Sequence, residues 1–203
     1  MKTYWGRLSR PAWLAGAAAV AVALYAAAWA LGWSDDVDGT CWTFGRLSIV
    51  VASGVAAPLR DRAAPVLDAT PYARRLRRLT PPGGALLTLG GVWLALAVIQ
   101  AVRVPGVPWG GLVVEAVAMA AVAGAAGALV AGRADPGLVG AAVLAVIVVA
   151  DETSGIGPWL TAWPGPHWTA GRTAWAVLAV IAAAVIVVAL RDPGRAQSSR
   201  AVR

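Results

Sequence analysis

Residues 12–31 read AWLAGAAAVAVALYAAAWAL, twenty positions without a charge, closed off by Lys2, Arg7 and Arg10 before them and by Asp35, Asp36 and Asp38 after. About 30 Å of hydrocarbon is crossed by about 20 helical residues, so the run has the length and composition of a transmembrane helix. A secretory leader has an apolar core of only about 7–15 residues, and the stretch is therefore read as a retained first span.

The same search, carried outward between charge clusters, finds five further runs at 41–59, 84–102, 109–130, 136–150 and 173–190. The last stops at Arg191-Asp192-Pro193-Gly194, where proline and glycine end a helix. The predicted fold is all-α, a single polytopic integral membrane domain over 1–203 with six transmembrane helices. A cytoplasmic loop is expected at 60–83, an outer loop at 151–172 and a loose tail at 195–203. The fifth run is the shortest and its full crossing the least secured.

Composition agrees with this reading. The chain is 59% hydrophobic and 13% charged, about half the charge of an ordinary soluble domain. Cys41 is the single cysteine, so no internal disulfide can form. The net charge of +7 does not point to nucleic acid, because the basic residues fall between apolar runs, where they set membrane orientation. Arginine almost wholly replaces lysine, asparagine is absent and Phe44 is the only phenylalanine, the signature of GC-rich codons. A bacterial source follows, and with it a multi-pass protein of the plasma membrane.

With both termini in the cytoplasm, 14 of the 17 basic residues lie inside: Lys2, Arg7, Arg10, Arg60, Arg62, Arg74, Arg75, Arg77, Arg78, Arg133, Arg191, Arg195, Arg200 and Arg203. Only Arg46, Arg103 and Arg172 fall at the outer face, beside Asp35, Asp36, Asp38, Asp151 and Glu152. That asymmetry is the positive-inside pattern. Tryptophan, whose ring favours the headgroup level, is expected near the outer face at positions 29, 33, 42, 109, 159, 163, 168 and 175 and near the inner face at 5 and 13. Trp93 alone sits mid-span.

No nucleotide-binding loop, metal-ligand spacing or nucleophile motif is present, and neither a cofactor nor a catalytic residue is assigned. His167, beside Trp168 in a Trp/Pro/Gly-rich outer stretch, reads as an interfacial residue rather than a catalyst. Glu115 is more informative, because a carboxylate one to two turns inside a span is costly unless protonated, paired or wetted. It is a candidate point on a translocation path; the plainer expectation is that it snorkels to water or pairs with Arg103 across the short outer turn. Gly124, Gly127, Ala128, Gly132, Gly137 and Gly140 form small-residue faces on the fourth and fifth runs, expected to serve packing within the chain before any dimerisation.

The segment 60–80 reads RDRAAPVLDATPYARRLRRLT, broken by Pro65 and Pro71. From Tyr72 onward, Tyr72, Leu76 and Leu79 recur at i, i+4 and i+7 while Arg74, Arg75, Arg77 and Arg78 fill the rest of the circumference. A short basic amphipathic helix is predicted there, suited either to anionic lipid or to a cytosolic partner.

The layout as a whole resembles the permease subunits of ATP-binding-cassette exporters, most closely actinobacterial ones. The resemblance is carried by Pro58-Leu59-Arg60-Asp61-Arg62, then Val66-Leu67-Asp68-Ala69-Thr70-Pro71, then the arginine cluster, together with a Trp/Pro-rich outer segment from Gly157 to Trp168 and the terminal Arg-Asp-Pro-Gly-Arg. The chain departs from that family in being short, with truncated connections. The resemblance implies a separate cytosolic ATPase docked on the first cytoplasmic loop, a second membrane subunit (a further copy or a related permease), and cargo drawn from lipids, peptides or drugs. Two other classes stand beside it: an accessory subunit of another membrane complex, and an intramembrane lipid-modifying enzyme using Glu115, Asp151, Glu152 or His167.

Overall fold

The computed structural model describes residues 11–59, 74–130, 134–153 and 167–189. Six helices account for nearly all of them: α1 Pro11–Ala30, α2 Val37–Ala56 with a 3-10 turn Ala57–Leu59 appended, α3 Arg74–Arg103, α4 Trp109–Val130, α5 Pro136–Thr153 and α6 Trp168–Ala189. Each contains a stretch long and apolar enough to cross a membrane, and no strand occurs among the described residues. The fourth span coincides with its expectation. The fifth, expected over fifteen residues, runs for 18 and has the length to cross.

Local chemistry sets the turns. α1 closes with Gly32 in the left-handed region (φ +70°), where Trp33 N–H donates to Ala28 C=O at 2.9 Å and Gly32 N–H to Trp29 C=O at 3.1 Å, the paired bonds of a Schellman cap. Four residues later Asp36, in extended conformation, accepts from Gly39 N–H at 2.6 Å and caps the start of α2. At the other end of the bundle Asp135 accepts from Gly137 and Leu138 N–H at 3.0 and 3.2 Å, with Pro136 in the first helical position where its missing donor is harmless.

α2 is the central helix although it has the lowest mean hydropathy of the six. Most of its residues are buried, so Thr40, Thr43, Gly45, Ser48 and Gly54 meet protein rather than lipid tails. α1 and α3 pack on one side of it, α4 on another, α5 in the angle between α2 and α4, and α6 chiefly on α4. Two cores result. In the first, Phe44 makes edge-to-face contacts with Tyr25, Trp93 and Trp109 at centroid distances of 6.1, 5.3 and 5.1 Å, joining α1, α3 and α4 to α2. In the second, Ala52 and Ala56 pack with Ala118, Met119, Ala123, Leu144, Val148 and Trp175.

Two expectations are revised. The basic helix predicted from Tyr72 is not a separate piece: from Arg74 it continues into the third span as one 30-residue helix, through Pro81 and Pro82. The two prolines remove two N–H donors from the ladder, but the helical path is kept across them. Tyr72 lies outside the described residues, as do Gly132, Trp5, Trp159, Trp163, most of the loop 60–83, most of the outer loop and the tail. Trp175 is not a belt residue: it is fully buried in the second core, because it falls on the α4-facing side of α6. Trp93, mid-span, satisfies its indole N–H on Ser48 Oγ at 3.2 Å, which a bilayer interior otherwise leaves unpaired.

The small-residue faces do pack internally. A Cβ on Gly137 would lie 2.8 Å from Ala57 Cβ, one on Gly140 3.0 Å from Ala123 Cβ and one on Gly127 3.0 Å from Pro136 Cβ. α5 is thereby drawn against the backbones of α2 and α4, the close approach that small residues permit in membrane bundles.

Candidate functional site: a charged clasp at one end of the bundle

Because the chain threads back and forth, the α1–α2 turn, the α3–α4 turn, the end of α5 and the start of α6 share one end of the bundle. Arg46, Arg103 and Arg172, the three basic residues that departed from the positive-inside pattern, all lie there. Each is paired with a carboxylate: Arg46 with Glu152, Arg103 with Asp35 at 3.2 Å, and Arg172 with Glu115. Each guanidinium also covers an indole, Arg46 over Trp42 at 5.1 Å, Arg103 over Trp29 at 5.1 Å and Arg172 over Trp168 at 4.0 Å. Trp42–Arg46 and Trp168–Arg172 are i, i+4 pairs, so helix geometry alone brings those rings and cations together.

Every helix takes part. The α1–α2 turn is joined to α3, α2 to α5 and α4 to α6. Two of the pairs are partly exposed, whereas Glu115 and Arg172 keep 4% and 9% of their side-chain surfaces. Their seat is shaped by two glycines. A Cβ on Gly45 would come within 3.2 Å of Glu115 Oε1, and one on Gly111 would collide with the Trp168 indole. Arg46 and Asp151 are the next charges within electrostatic reach of Glu115.

The partner of Glu115 is therefore Arg172 on α6, and not Arg103, which reaches Asp35 and, at 3.4 Å, Gln100 Oε1. Sequence proximity favoured Arg103, twelve positions away; the bundle places α6, not the end of α3, against that face of α4. The carboxylate is buried rather than snorkelling. His167 stands exposed just before α6, its carbonyl accepting from Gly171 N–H at 2.9 Å. Cys41 is buried in the first core.

A second polar cluster had no sequence signal. Gln100 accepts from Tyr25 Oη at 2.8 Å and donates to Ser34 C=O and, at 2.9 Å, to Thr40 Oγ1. Ser34, Thr40 and Gln100 are fully buried, so a mid-sequence glutamine ties α1, the following turn and α2 to α3.

The opposite end carries the start of α3. Its apolar stretch begins at Pro82, while the helix itself begins at Arg74, so Arg74, Arg75, Leu76, Arg77, Arg78 and Leu79 lie on a helical extension continuous with a membrane span. At 1.5 Å per residue the whole helix is about 45 Å long against about 30 Å of hydrocarbon. The structure does not bring these residues together with Glu115: the two candidate sites occupy opposite ends. The class defined by this architecture is a six-helix, multi-pass membrane protein. Compared with protein-family models, curated proteins and solved structures, the chain matches none.

Proposed function

We propose that the chain is a permease or permease-like membrane subunit of an ATP-binding-cassette exporter, held in a bacterial plasma membrane with both termini in the cytoplasm. The observation that carries this reading is the continuity of α3 with its arginine-rich start, Arg74 to Leu79. A helix that leaves the hydrocarbon without a break transmits a push or tilt applied outside the membrane directly to the bundle, which is what a subunit driven by a cytosolic motor requires. The sequence has no phosphate-binding loop, so ATP hydrolysis is assigned to a separate subunit. The alternation of Tyr72, Leu76 and Leu79 with four arginines suits a groove with an acidic rim, the arginines providing steering and orientation. A translocation path would be completed by a second membrane subunit, either another copy or a related permease.

The test is affinity purification of the full chain in mild detergent, with identification of co-purifying proteins, beside the Leu76→Ser/Leu79→Ser variant that keeps every arginine. An ATPase should accompany the parent and be lost from the variant, while both remain in the membrane through six spans. An ATPase that stays bound and coupled in the variant would remove the docking assignment, and no ATPase with the parent would remove the reading itself.

A further inference from the structure

The depth of α3 in a bilayer can be read from its clasp end. Arg103 bonds Asp35 at 3.2 Å and lies over the ring of the exposed Trp29, and an arginine and a tryptophan so placed mark the level of the headgroups. Counted back from Arg103 at 1.5 Å per residue, about 30 Å of hydrocarbon is crossed in about 20 residues. Its other edge then falls at Gly83, beside Pro82, where the apolar stretch begins. The helix does not stop there but runs back to Arg74. Arg78 and Arg77, four and five residues before Pro82, therefore stand about 6–8 Å outside the hydrocarbon. The headgroup layer is about 5–8 Å thick on each side. Helix length alone sets two arginines at the level of the lipid phosphates, with Arg75 and Arg74 just beyond.

We infer that the start of α3 is a binding site for anionic phospholipid, with Arg77 and Arg78 taking the phosphate and Arg74 and Arg75 adding to the positive collar around it. Charge and spacing favour this ligand. The segment 60–80 holds six arginines against two aspartates, Asp61 and Asp68, so cations remain in excess even with both aspartates paired. α3 itself contains no acidic residue. Within it Arg74 and Arg78 stand at i, i+4, and Arg74 with Arg77 and Arg75 with Arg78 at i, i+3, spacings at which like charges repel on a helix surface. An anion set among them relieves that repulsion, and lipid phosphates are the anions that the depth of the helix brings alongside. Guanidinium suits the task, since its planar fork donates to two phosphate oxygens at once. A juxtamembrane cluster of this kind is drawn to anionic rather than zwitterionic lipid, because only the former leaves net negative charge at the surface. The inference needs no ATPase and does not rest on the proposed function, whose docking contact is the apolar pair Leu76 and Leu79.

The test titrates the purified full chain in mild detergent with phosphatidylglycerol and, separately, with phosphatidylcholine, counting bound lipids by native mass spectrometry. The parent should bind phosphatidylglycerol the more tightly, and Arg77→Gln/Arg78→Gln should weaken that binding about 30-fold, or about 5-fold per arginine, while phosphatidylcholine binds as in the parent. Unchanged phosphatidylcholine binding shows that the variant is folded. Arg195→Gln/Arg200→Gln, which removes the same charge from the tail, should alter neither lipid. Equal affinity of the parent for the two lipids overturns the site. So does phosphatidylglycerol binding that survives in Arg77→Gln/Arg78→Gln, which would leave those arginines to a protein partner, or an equal loss in the tail variant, which would make net charge rather than position the cause.

Discussion

The Tyr25 hydroxyl donates to Gln100 Oε1 at 2.8 Å across 75 positions of sequence, and the same glutamine's amide donates to the Ser34 carbonyl and to Thr40. One side chain near the end of the third span thus satisfies groups from the first span, the turn after it and the second span. In a bilayer the alternative partner is not water but nothing, and such a group acts as a fixed point for the helices around it.

Gln100→Leu and Tyr25→Phe should therefore differ in size. Hydrogen bonds between membrane helices contribute about 0.6 kcal/mol on average and up to about 1.7, which sets the expected loss in Tyr25→Phe. Gln100→Leu leaves the Tyr25 hydroxyl without its acceptor and the Ser34 carbonyl with only the Thr40 hydroxyl, at 3.3 Å. Stranded buried groups cost about 1–3 kcal/mol each, so the glutamine variant should be the less stable of the two. Reversible unfolding of both variants in detergent micelles measures the order, and equal stability would deny Gln100 its central place.

The three ion pairs should separate by burial. Removing one member of a buried pair typically costs about 3–5 kcal/mol, whereas exposed pairs contribute about 0–1 kcal/mol. Glu115→Ala is expected to destabilise strongly, Glu152→Ala and Asp35→Ala weakly. A double-mutant cycle between Glu115 and Arg172 should show large coupling, with the double alanine variant more stable than Glu115→Ala alone. Glu115→Gln, which keeps shape while removing charge, tests the proposed permease reading: normal expression with lost transport would place the carboxylate on the path as well as in the ion pair.

The spans were legible because bilayer thickness imposes a length that composition alone can satisfy, and five of the six runs hold their expected place to within a few residues. Where α3 began was not legible, since Pro81-Pro82-Gly83-Gly84 reads as a break and the helix nevertheless passes through it. Glu115 stood out because a carboxylate in an apolar run is costly. Its partner did not, because Arg172 is 57 positions away and nothing in a single sequence says which helices touch. Gln100 gave no signal at all, being neutral and one polar residue among apolar ones. Trp175 was misplaced by treating every tryptophan near a span end as an interfacial anchor, when its helical face decides whether the ring meets headgroups or protein.

Glycine substitutions should split by sign. Gly137→Ala and Gly140→Ala introduce methyls within 3.0 Å of Ala57 and Ala123, where neither backbone can yield cheaply. Overpacking of this kind typically costs about 1–3 kcal/mol. Gly16 and Gly90 have open space around a Cβ, and alanine there should be neutral or stabilising by up to about 1 kcal/mol through helix propensity. Thermal denaturation of the four single variants tests the contrast, and tolerance at Gly137 and Gly140 would mean that α5 does not sit as closely as described.

The final expectation concerns which way the bundle faces. The clasp end holds Asp35, Asp36, Asp38, Glu115, Asp151 and Glu152 against Arg46, Arg103 and Arg172, and each of those arginines is bound to a carboxylate. The other 14 basic residues fall in the sequence outside the segments that form the clasp end. The positive-inside rule therefore predicts that the clasp end faces outward, with its three arginines each answered by a carboxylate. Membrane-impermeant thiol reagents applied to intact cells should label cysteines placed at Asp36 and Gly165 and spare those at Thr70 and Ser198, in a Cys41→Ala background. Labelling at Ser198 from outside would reverse the orientation, put the arginine-rich start of α3 on the wrong face for a cytosolic ATPase, and so remove the proposed function along with it.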